Sequence, residues 1–510
     1  MVVMNESRNK IALTAVCLSA VMLGLEITSI PSILPTLEKV LPANFRQLQW
    51  IMNAYTIAMC SVLVAMGALA DRFGRKRVFL VSIVVFGIAS LICGLANSST
   101  LLITARFLQG LSAAGMLACQ VAILSHQFQG GPERGSAFAW WGIVFGLGLG
   151  FGPIVGGSIV AVSSWNWVFL IHVIIGMATF AFAKRGVEES SDPHAIRIDI
   201  GGMITLSLAV FALVYLITMG REIGLSGPVA IVIGLAGVAS ALLFLFIETR
   251  VARPMFDFKA FKIRSFSGAL IGAAGMNFSF WPFIIYFPIY LQSVLQYSSI
   301  AAGATVMAYT LPTIVMPPAA EKLLAKRGPG FVIPLGLFCI AAGFIAMRFV
   351  VATEYASWAT LLPGCILAGI GLGLTNTPVT NTATGSLPPE RAGMASGMEF
   401  SARMISLAVN IAVMGFVLVT AVSKEIYRLL ADKATAENLR QAADGVAAGN
   451  ISVAESIGLS ADSAREALTH GIGWVMTYGG TSACILGMLA LLTFGKQRKS
   501  IDEKDPLSAT

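Results

Sequence analysis

Charged side chains are scarce in this sequence of 510 residues: 12% are Asp, Glu, Lys or Arg, whereas 56% are hydrophobic. The mean hydropathy is +0.80. A soluble globular domain has no use for so much apolar surface, so the composition indicates an integral membrane protein. The formal charge of +8 is spread over many short polar segments. That spread is typical of cytoplasmic loops and argues against a nucleic-acid surface.

Several chemical patterns are also missing. The seven cysteines lie singly inside apolar runs, so we assign them packing roles without disulfides. The four histidines are scattered, and we predict no metal site. The chain has no G-x-x-x-x-G-K-S/T loop and therefore no evident ATP site. No nucleophile and base converge, so we expect no enzyme and no cofactor, and an ion gradient must supply the work.

Fourteen apolar runs are each long enough to cross a bilayer, which takes about 20 residues. They cover roughly 11–31, 48–69, 78–97, 100–123, 137–161, 167–183, 200–219, 228–248, 267–292, 299–320, 330–351, 358–384, 396–422 and 471–495. Of the 34 Lys and Arg residues, 23 fall on one side of these runs and 8 on the other. The positive-inside rule then places both termini in the cytoplasm. The first run carries Glu26 and lacks a small-x-small cleavage site, so we interpret it as a retained helix and not a signal peptide.

A short polar segment, Gly67-Ala-Leu-Ala-Asp71-Arg72-Phe-Gly74-Arg75-Lys76-Arg77, separates the second and third runs. Its clustered cations cannot enter hydrocarbon, so it lies at the cytoplasmic face. The glycines permit a tight turn or a close approach of two backbones. The acid can pair with an arginine or meet the positive N-terminus of another helix. An ordinary positive-inside loop would explain the charges alone, whereas the glycines and the aspartate favour a latch that breaks and re-forms.

This segment resembles the signature between the second and third helices of the major facilitator superfamily, G-x-L-a-D-r-x-G-r-k, at every defined position. The resemblance to the family's fourteen-span drug:proton antiporter branch extends along nearly the whole chain. It implies an all-α integral membrane protein with two six-helix bundles, the major facilitator fold, plus two inserted helices. It assigns the latch to Gly67, Asp71, Arg72, Gly74, Arg75 and Lys76.

A partial repeat of the latch follows the tenth run, where Glu321-Lys-Leu-Leu-Ala-Lys326-Arg327-Gly328 keeps the acid, the bases and the glycine. Paired halves of six spans are usual in transporters. We therefore predict an N-terminal bundle at 1–186, inserted helices 7 and 8 with cytoplasmic linkers at 187–263, and a C-terminal bundle at 264–510. The last includes an external segment at about 423–470, Ala-rich and helical or loosely ordered. We favour a solvated connector there over a lid or partner site.

Glu26 is the acid that the sequence places well inside the membrane, where burying a charge costs about 2.5–3.5 kcal/mol. Desolvation favours its protonated form, as a proton carrier requires. Counting residues from the outer ends of the spans puts Glu26, Arg106 and Asn53 at similar depth. We hypothesise that Glu26 loses and regains a proton as Arg106 moves in and out of contact. An acid held only by a structural partner is the alternative.

Two resemblances support that assignment. Leu25-Glu26-Ile27-Thr28 is similar to the l-D-x-T pattern of the related antiporters, with glutamate in place of aspartate. The stretch from Leu102 to Ala114 resembles the superfamily's fourth-helix motif, which is linked to proton transfer, with Ser112 in place of the usual glycine. The resemblance therefore implies that Glu26 and Arg106 carry the proton coupling.

The fifth run is rich in glycine. Inside an apolar run this spacing permits close helix packing and Pro153 supplies a kink, whereas a dinucleotide loop would need a preceding strand. The G-x-x-x-G-P-x-x-G arrangement resembles the signature that separates antiporters from symporters in the superfamily, with Ala139 where the extended motif has glycine. This resemblance implies export, and packing without directional meaning is the alternative. The motif residues are Gly148, Gly152, Pro153, Gly156 and Gly157.

Trp165-Asn-Trp167-Val-Phe169-Leu-Ile-His172 resembles the W-x-W-x-F-x-x-N stretch of the drug-exporter branch, with His172 in place of asparagine. A titratable side chain at this position can join the proton path. We favour a hydrogen-bonded structural residue and keep the proton path as the alternative.

Polar and aromatic residues of several spans are candidates for lining a substrate cavity. A wide apolar cavity with a few polar anchors suits lipophilic ligands of varied shape. For any one candidate, plain helix packing is the alternative. The candidates are Asn53, Tyr55, Gln120, Asn277, Phe280, Trp281, Tyr286, Asn376, Asn381 and Arg403. Glu399 and Arg403 are four residues apart and can pair, which we interpret as a structural bridge.

The sequence predicts a proton-driven antiporter that exports hydrophobic drugs or toxic small molecules across a bacterial inner membrane by alternating access. One alternative is a dedicated exporter of an endogenous metabolite, lipid or siderophore. Another is a non-transporting receptor or scaffold on a transporter fold. The expected partners are a lipophilic small molecule, protons and the bilayer, without nucleic acid. Docking of a periplasmic adaptor is left open.

Overall fold

The computed structural model describes residues 2–41, 45–129, 131–192, 199–224, 227–251, 258–353, 355–430 and 436–495. Within these ranges the chain forms α-helices and three short 3-10 helices (Phe258–Lys262, Pro389–Arg391 and Ile451–Ile457), without a strand. The α-helices are α1 (Val2–Val40), α2 (Phe45–Phe73), α3 (Arg75–Gly94), α4 (Ser99–Gln127), α5 (Gly131–Val162), α6 (Asn166–Gly186), α7 (Ile200–Ile223), α8 (Pro228–Arg250), α9 (Arg264–Asn277), α10 (Phe280–Ser293), α11 (Ser299–Val315), α12 (Pro317–Arg327), α13 (Pro329–Val351), α14 (Trp358–Gly385), α15 (Ala392–Leu430), α16 (Ala436–Ala447) and α17 (Ala461–Phe494). The predicted all-α class is confirmed.

Thirteen stretches of the described chain are long and apolar enough to cross a membrane. A further apolar helix, Ala301–Val315, is shorter. Helices dominate because a backbone in hydrocarbon must satisfy its N–H and C=O groups internally. The predicted count of fourteen spans is compatible with these helices.

The ninth predicted span, at 267–292, is not one continuous helix. It is divided at residues 278–279 into α9 and α10. The side-chain amide of Asn277, the last residue of α9, donates to the backbone carbonyl of Arg403 at 2.8 Å. The break is therefore held from a neighbouring helix, α15, which the sequence of the span alone does not show.

The tenth predicted span, at 299–320, is also shorter than expected. Its helix ends at Val315, and α12 begins at Pro317. Proline lacks the N–H that a continuous helix needs, so it suits the first position of a new helix. The partial repeat of the latch consequently lies on its own short helix.

Buried apolar side chains form two large clusters. One joins α1 to α6 and runs from Ala12 to Val187, with Phe400 of α15 added. The other joins most of the helices from α9 to α17 and runs from Ala260 to Phe494. Two such cores suit two bundles, and the domain boundaries at 186/187 and 263/264 stay a prediction.

The predicted inserted pair, α7 and α8, packs on the outside of the two bundles. Val210 and Val214 of α7 form a buried cluster with Ile57 and Cys60 of α2, and Met404 of α15 packs against it. Much of α8 presents exposed apolar side chains, as expected of a surface that faces lipid. The pair therefore covers the line where α2 meets α15.

The segment predicted to lie outside the membrane, at 423–470, is helical over most of its described part. α15 extends to Leu430, α16 and a 3-10 helix follow, and α17 begins at Ala461. Ser293 at the end of α10 donates to the carbonyl oxygen of Gly449 at 2.9 Å. The segment is therefore packed on the bundle at this point.

Candidate functional site

Glu26 of α1 and Arg106 of α4 form a buried ion pair. Glu26 is fully buried and Arg106 is 2% exposed. Arg106 Nη1 donates to Glu26 Oε1 and to Gln109 Oε1 at 2.8 Å, while Nε donates to the carbonyl oxygen of Ile51 at 3.0 Å. Removing one partner of such a pair leaves an uncompensated buried charge. The structure thus brings together the two residues predicted to couple protons, and their role stays a prediction.

Further contacts hold the guanidinium in place. Its Cζ lies 4.5 Å from the centroid of the Tyr55 ring. Gln109, which accepts from it, donates in turn to Ser90 Oγ at 2.9 Å. Tyr55, a predicted cavity residue, thus contacts the ion pair, and Asn53, nearby on α2, is half-buried. Sequence reasoning missed the part of Gln109, although the residue belongs to the fourth-helix motif.

His172 of α6 is a third titratable residue at this pair, and it is 1% exposed. Its Nε2 lies 3.3 Å from Glu26 Oε2 and 3.1 Å from the carbonyl oxygen of Met22. Its Nδ1 lies 3.2 Å from the carbonyl oxygen of Val168. The favoured interpretation of a hydrogen-bonded residue agrees with these contacts, but they also place the imidazole directly beside the carboxylate.

Glycines of α5 let that helix lie against α1 on both sides of Glu26. A Cβ on Gly148 would lie 2.8 Å from the carbonyl oxygen of Val21, and one on Gly152 would lie 1.9 Å from Thr28 Oγ1. Gly148 meets backbone atoms of α1 and therefore needs glycine, whereas a Cβ on Gly152 would require the Thr28 side chain to move. The other motif positions are Gly156, which is buried, Gly157, which has open space around it, and Pro153, whose side chain lies outside the described residues.

Asp71 joins the two bundles where α2 ends and α15 begins, which we call the latch end. Its Oδ1 accepts from Arg75 Nη2 at 2.9 Å and from the backbone N–H of Gly393 at 3.0 Å. Its Oδ2 accepts from the N–H of Met394 at 2.8 Å. The positive N-terminus of a helix favours an acid at this position. Both contacts considered for this aspartate, an arginine and a helix N-terminus, are therefore present together.

The remaining latch residues surround this contact. A Cβ on Gly67 would lie 2.4 Å from the carbonyl oxygen of Gly393, so glycine is needed for the close approach of α2 and α15. Gly74 has a φ of +104°, a left-handed backbone that glycine adopts without strain. Arg72 is exposed and Lys76 is half-buried.

Glu321 of α12, the acid of the partial repeat, makes a second contact between the bundles. Asn381 Nδ2 donates to Glu321 Oε2 at 2.6 Å, and Arg134 Nε of α5 donates to Asn381 Oδ1 at 2.7 Å. Oε1 of Glu321 is buried without a hydrogen-bond partner. Burial raises the pKa of Glu321 to about 7, against the opposing effects of Asn381 and Arg134. Asn381, a predicted cavity residue, therefore connects an acid of one bundle to a base of the other.

Arg403 anchors a buried cluster within the C-terminal bundle. Its Nε donates to Glu399 Oε1 and its Nη1 to Asn376 Oδ1. Its Nη2 donates to Thr380 Oγ1 at 2.7 Å. The structural bridge predicted for Glu399 and Arg403 is present, with Asn376 as an additional partner.

The other cavity candidates whose side chains the structure describes contact neighbouring helices. The Tyr286 hydroxyl donates to the carbonyl oxygen of Ile411 at 2.7 Å, and Phe280 stacks on Tyr309 with ring centroids 4.0 Å apart. Gln120 donates to Ser19 Oγ at 2.7 Å. The side chain of Trp281 lies outside the described residues. A cavity of about 440 Å³ is lined by other residues, and the substrate contact of the predicted candidates stays a prediction. This cavity is lined by Tyr297, Ala301, Ala304, Thr305, Ala308, Trp358, Leu362 and Cys365.

Comparison with known proteins adds independent findings. The profile described as Major Facilitator Superfamily matches residues 16–410. The multidrug resistance protein Stp of Mycobacterium tuberculosis is 30% identical over 408 residues, which cover 80% of this chain and 75% of that protein. The quinolone resistance protein NorB of Staphylococcus aureus is 28% identical over 421 residues, which cover 81% of this chain and 89% of that protein.

Two solved structures share the fold. The human organic anion transporter MFSD10 (TETRAN) has a TM-score of 0.64 at 14% identity, covering 96% of this chain and 99% of that one. The proton:xylose symporter XylE has a TM-score of 0.63 at 12% identity, covering 96% of this chain and 95% of that one. At such low identity the likeness concerns the fold alone.

Proposed function

The chain belongs to the major facilitator superfamily, and from that premise we propose that it is a proton-coupled antiporter that exports lipophilic drugs or toxic small molecules. The proposed site of action is a bacterial plasma membrane, with both termini in the cytoplasm. The observation that carries the proposal is the buried pair of Glu26 and Arg106. An ionisable pair inside membrane-spanning helices is costly, which makes it a functional site by default.

Protonation of Glu26 would loosen the contact between α1 and α4. A neutral carboxyl no longer attracts the guanidinium, yet Arg106 keeps the carbonyl of Ile51 and the amide oxygen of Gln109 as acceptors. The arginine therefore stays solvated by protein in both states, and its tie to α1 alone changes strength. This property suits a switch between two arrangements of the helices.

The latch end supplies the second arrangement that such a switch needs. Asp71 bonds to the first turn of α15, and Arg134 of α5 bonds to Asn381 of α14. In this structure the bundles are joined at the latch end, which we assign to the cytoplasmic side. A path from the cytoplasm requires these bonds to break, so proton binding at Glu26 and latch opening would alternate.

The direction and the type of cargo rest on likeness. The glycine motif of α5 supports export, and the names of Stp and NorB refer to multidrug and quinolone resistance. One proton moving through ~100 mV releases about 2.3 kcal/mol, and one pH unit adds about 1.4 kcal/mol. At about 1.4 kcal/mol per tenfold change, one proton sustains a gradient of a few hundredfold for a neutral substrate. That gradient is sufficient for resistance.

The test uses purified protein in proteoliposomes and a fluorescent quinolone. We expect uptake driven by an imposed pH difference, its loss with an uncoupler, and its loss in Glu26→Gln. Glu6→Gln is the matched control, because Glu6 lies on the same helix with 67% of its side chain exposed. Intact pH-driven uptake in Glu26→Gln would exclude this carboxyl as the proton carrier. Absence of flux for quinolones, but proton-driven flux of a lipid or metabolite, would favour the dedicated exporter, and absence of any driven flux would favour a receptor or scaffold.

A further inference from the structure

The imidazole of His172 is surrounded by oxygen acceptors. Nδ1 lies 3.2 Å from the carbonyl oxygen of Val168. Nε2 lies 3.1 Å from the carbonyl oxygen of Met22 and 3.3 Å from Glu26 Oε2. A carbonyl oxygen only accepts, and so does an ionised carboxylate, whereas a neutral imidazole has one N–H donor and one acceptor nitrogen. With ionised Glu26, either neutral tautomer would therefore direct a lone pair at an oxygen.

Two protonation states remove the conflict between Nε2 of His172 and Oε2 of Glu26, and the first of them also gives the carbonyl oxygen of Met22 a donor. In the first, His172 is an imidazolium that donates from both nitrogens, and Glu26 is a carboxylate. In the second, neutral His172 keeps its proton on Nδ1, and protonated Glu26 donates from Oε2 to Nε2. The two states contain the same number of protons. They differ by one transfer, in which the O–H bond of Glu26 breaks as the Nε2–H bond of His172 forms.

The groups around Glu26 and His172 leave Oε2 of the carboxylate available to the imidazole. Oε2 of Glu26 has no hydrogen-bond partner that satisfies normal geometry, whereas Oε1 is taken by Arg106. On α3 the ring of Phe86 packs against the imidazole, with centroids 5.9 Å apart. Helices α3 and α5 also contact α6. The charged residues in their sequences lie in the first turn of each helix, at the latch end. Glu26 is thus the acid, and Arg106 the fixed cation, next to His172.

We propose that Glu26 and His172 bind the coupling proton as a pair, so that the proton lies either on the carboxyl or on the imidazole. This proposal rests on the proposed proton-coupled transport and deepens it. Asparagine, which the exporter pattern has at this position, cannot bind a proton, so a chain with that residue would lack the pair. The imidazole adds a second atom that can hold the proton, so its removal should weaken proton binding by the site.

The direct test observes His172 without any substrate. The chain is labelled with ¹⁵N-histidine and placed in lipid nanodiscs, and the signal of His172 is identified by its loss in His172→Asn. We expect His172 in the wild type to change protonation together with Glu26. In Glu26→Gln the midpoint of His172 should move about one pH unit toward acid, because the carboxylate beside the imidazolium is lost. Identical titration of His172 in wild type and Glu26→Gln would overturn the proposal.

Transport gives the second readout, with the fluorescent quinolone as probe. We expect His172→Asn and His172→Gln to remain proton-coupled while the midpoint of their pH dependence moves about one unit toward acid. His470→Asn is the matched control, since His470 is partly exposed near Trp474 and outside this site. An unchanged midpoint in both His172 variants would overturn the pair. A wild type without pH-driven flux would contradict the proposed function instead, and the titration of His172 would still decide whether the pair exists.

Discussion

The carboxylate of Asp71 accepts a hydrogen bond from the backbone N–H of Met394, 2.8 Å away at the start of α15. The same carboxylate accepts from Gly393 and from Arg75 of its own bundle. Arg75 therefore balances the charge of Asp71 within one bundle, while the carboxylate is hydrogen-bonded to the backbone of the other bundle. In the proposed function, opening of the latch end would break the bonds to Gly393 and Met394 and leave the bond to Arg75 intact, so that the N-terminal bundle would keep its charge balance.

Substitution of Asp71 by asparagine should weaken the closed latch end. The amide keeps the size of the side chain but removes the charge that binds two N–H groups, and hydrogen bonds to charged groups contribute about 1.5–3 kcal/mol. We expect quinolone transport in proteoliposomes to fall about tenfold at equal protein amounts. Asp462→Asn, whose side chain is 93% exposed, should transport like wild type. Equal rates for both variants would contradict the role of the latch.

Substitution of Gly67 by alanine tests the same contact through its shape. The added Cβ would lie 2.4 Å from the carbonyl oxygen of Gly393, so α2 and α15 must separate. Overpacking of this kind typically costs about 1–3 kcal/mol. We expect reduced transport together with increased labelling, by an impermeant thiol reagent, of a cysteine introduced by Ser396→Cys at a buried position near the start of α15. Gly87→Ala, where nothing lies within 4 Å, is the control, and a Gly67→Ala variant that labels like this control would refute the close approach.

Much of this arrangement follows from the sequence for physical reasons. Apolar runs predict the spans because hydrocarbon admits only helices with internal hydrogen bonds. The constant rise per residue predicts that Glu26 and Arg106 lie at one depth, and the ion pair agrees. The latch motif indicates which acid meets a helix N-terminus, because glycine, acid and base have separate uses in one turn.

The remaining features depend on contacts between distant parts of the chain. The break after Asn277 is held by a carbonyl of α15, and hydropathy does not register such a bond. Glu321, Asn381 and Arg134 come from three helices, so no spacing in the sequence predicts their meeting. The exporter pattern has asparagine where this chain has His172, and this difference is the sequence signal for a third titratable group at Glu26.

Substitution of Gly148 by alanine should disturb the ion pair without touching it. A Cβ there would lie 2.8 Å from the carbonyl oxygen of Val21, which forces α1 away from α5 near Glu26. We expect about a tenfold loss of proton-driven transport, by the overpacking cost given above. Gly157→Ala, in the same motif but with open space, should be unaffected. If both variants lose transport equally, the motif acts by something other than contact with α1.

Closure of the latch end should depend on pH through Glu321. Its pKa is raised by burial from 4.5 to about 7 in the closed arrangement, and exposure to water on opening would return it toward the ordinary value. Between pH 4.5 and about 7, Glu321 is therefore protonated in the closed state and ionised in the open state. Lowering the pH from 8 to 6 stabilises closure, and the stabilisation is lost as the pH rises through about 7. Glu321→Gln, which is permanently neutral, should close to the same extent at both pH values.

Distances between spin labels on exposed positions 133 of α5 and 326 of α12 report this closure directly. In wild type the short-distance population should increase several-fold from pH 8 to pH 6, since each pH unit changes the balance by up to tenfold. A change in the opposite direction would mean that attraction between ionised Glu321 and Arg134 outweighs desolvation. Glu133 and Lys326 are both exposed, so labelling them leaves the buried contact of Glu321 with Asn381 intact. A pH response that persists in Glu321→Gln would assign it to another group.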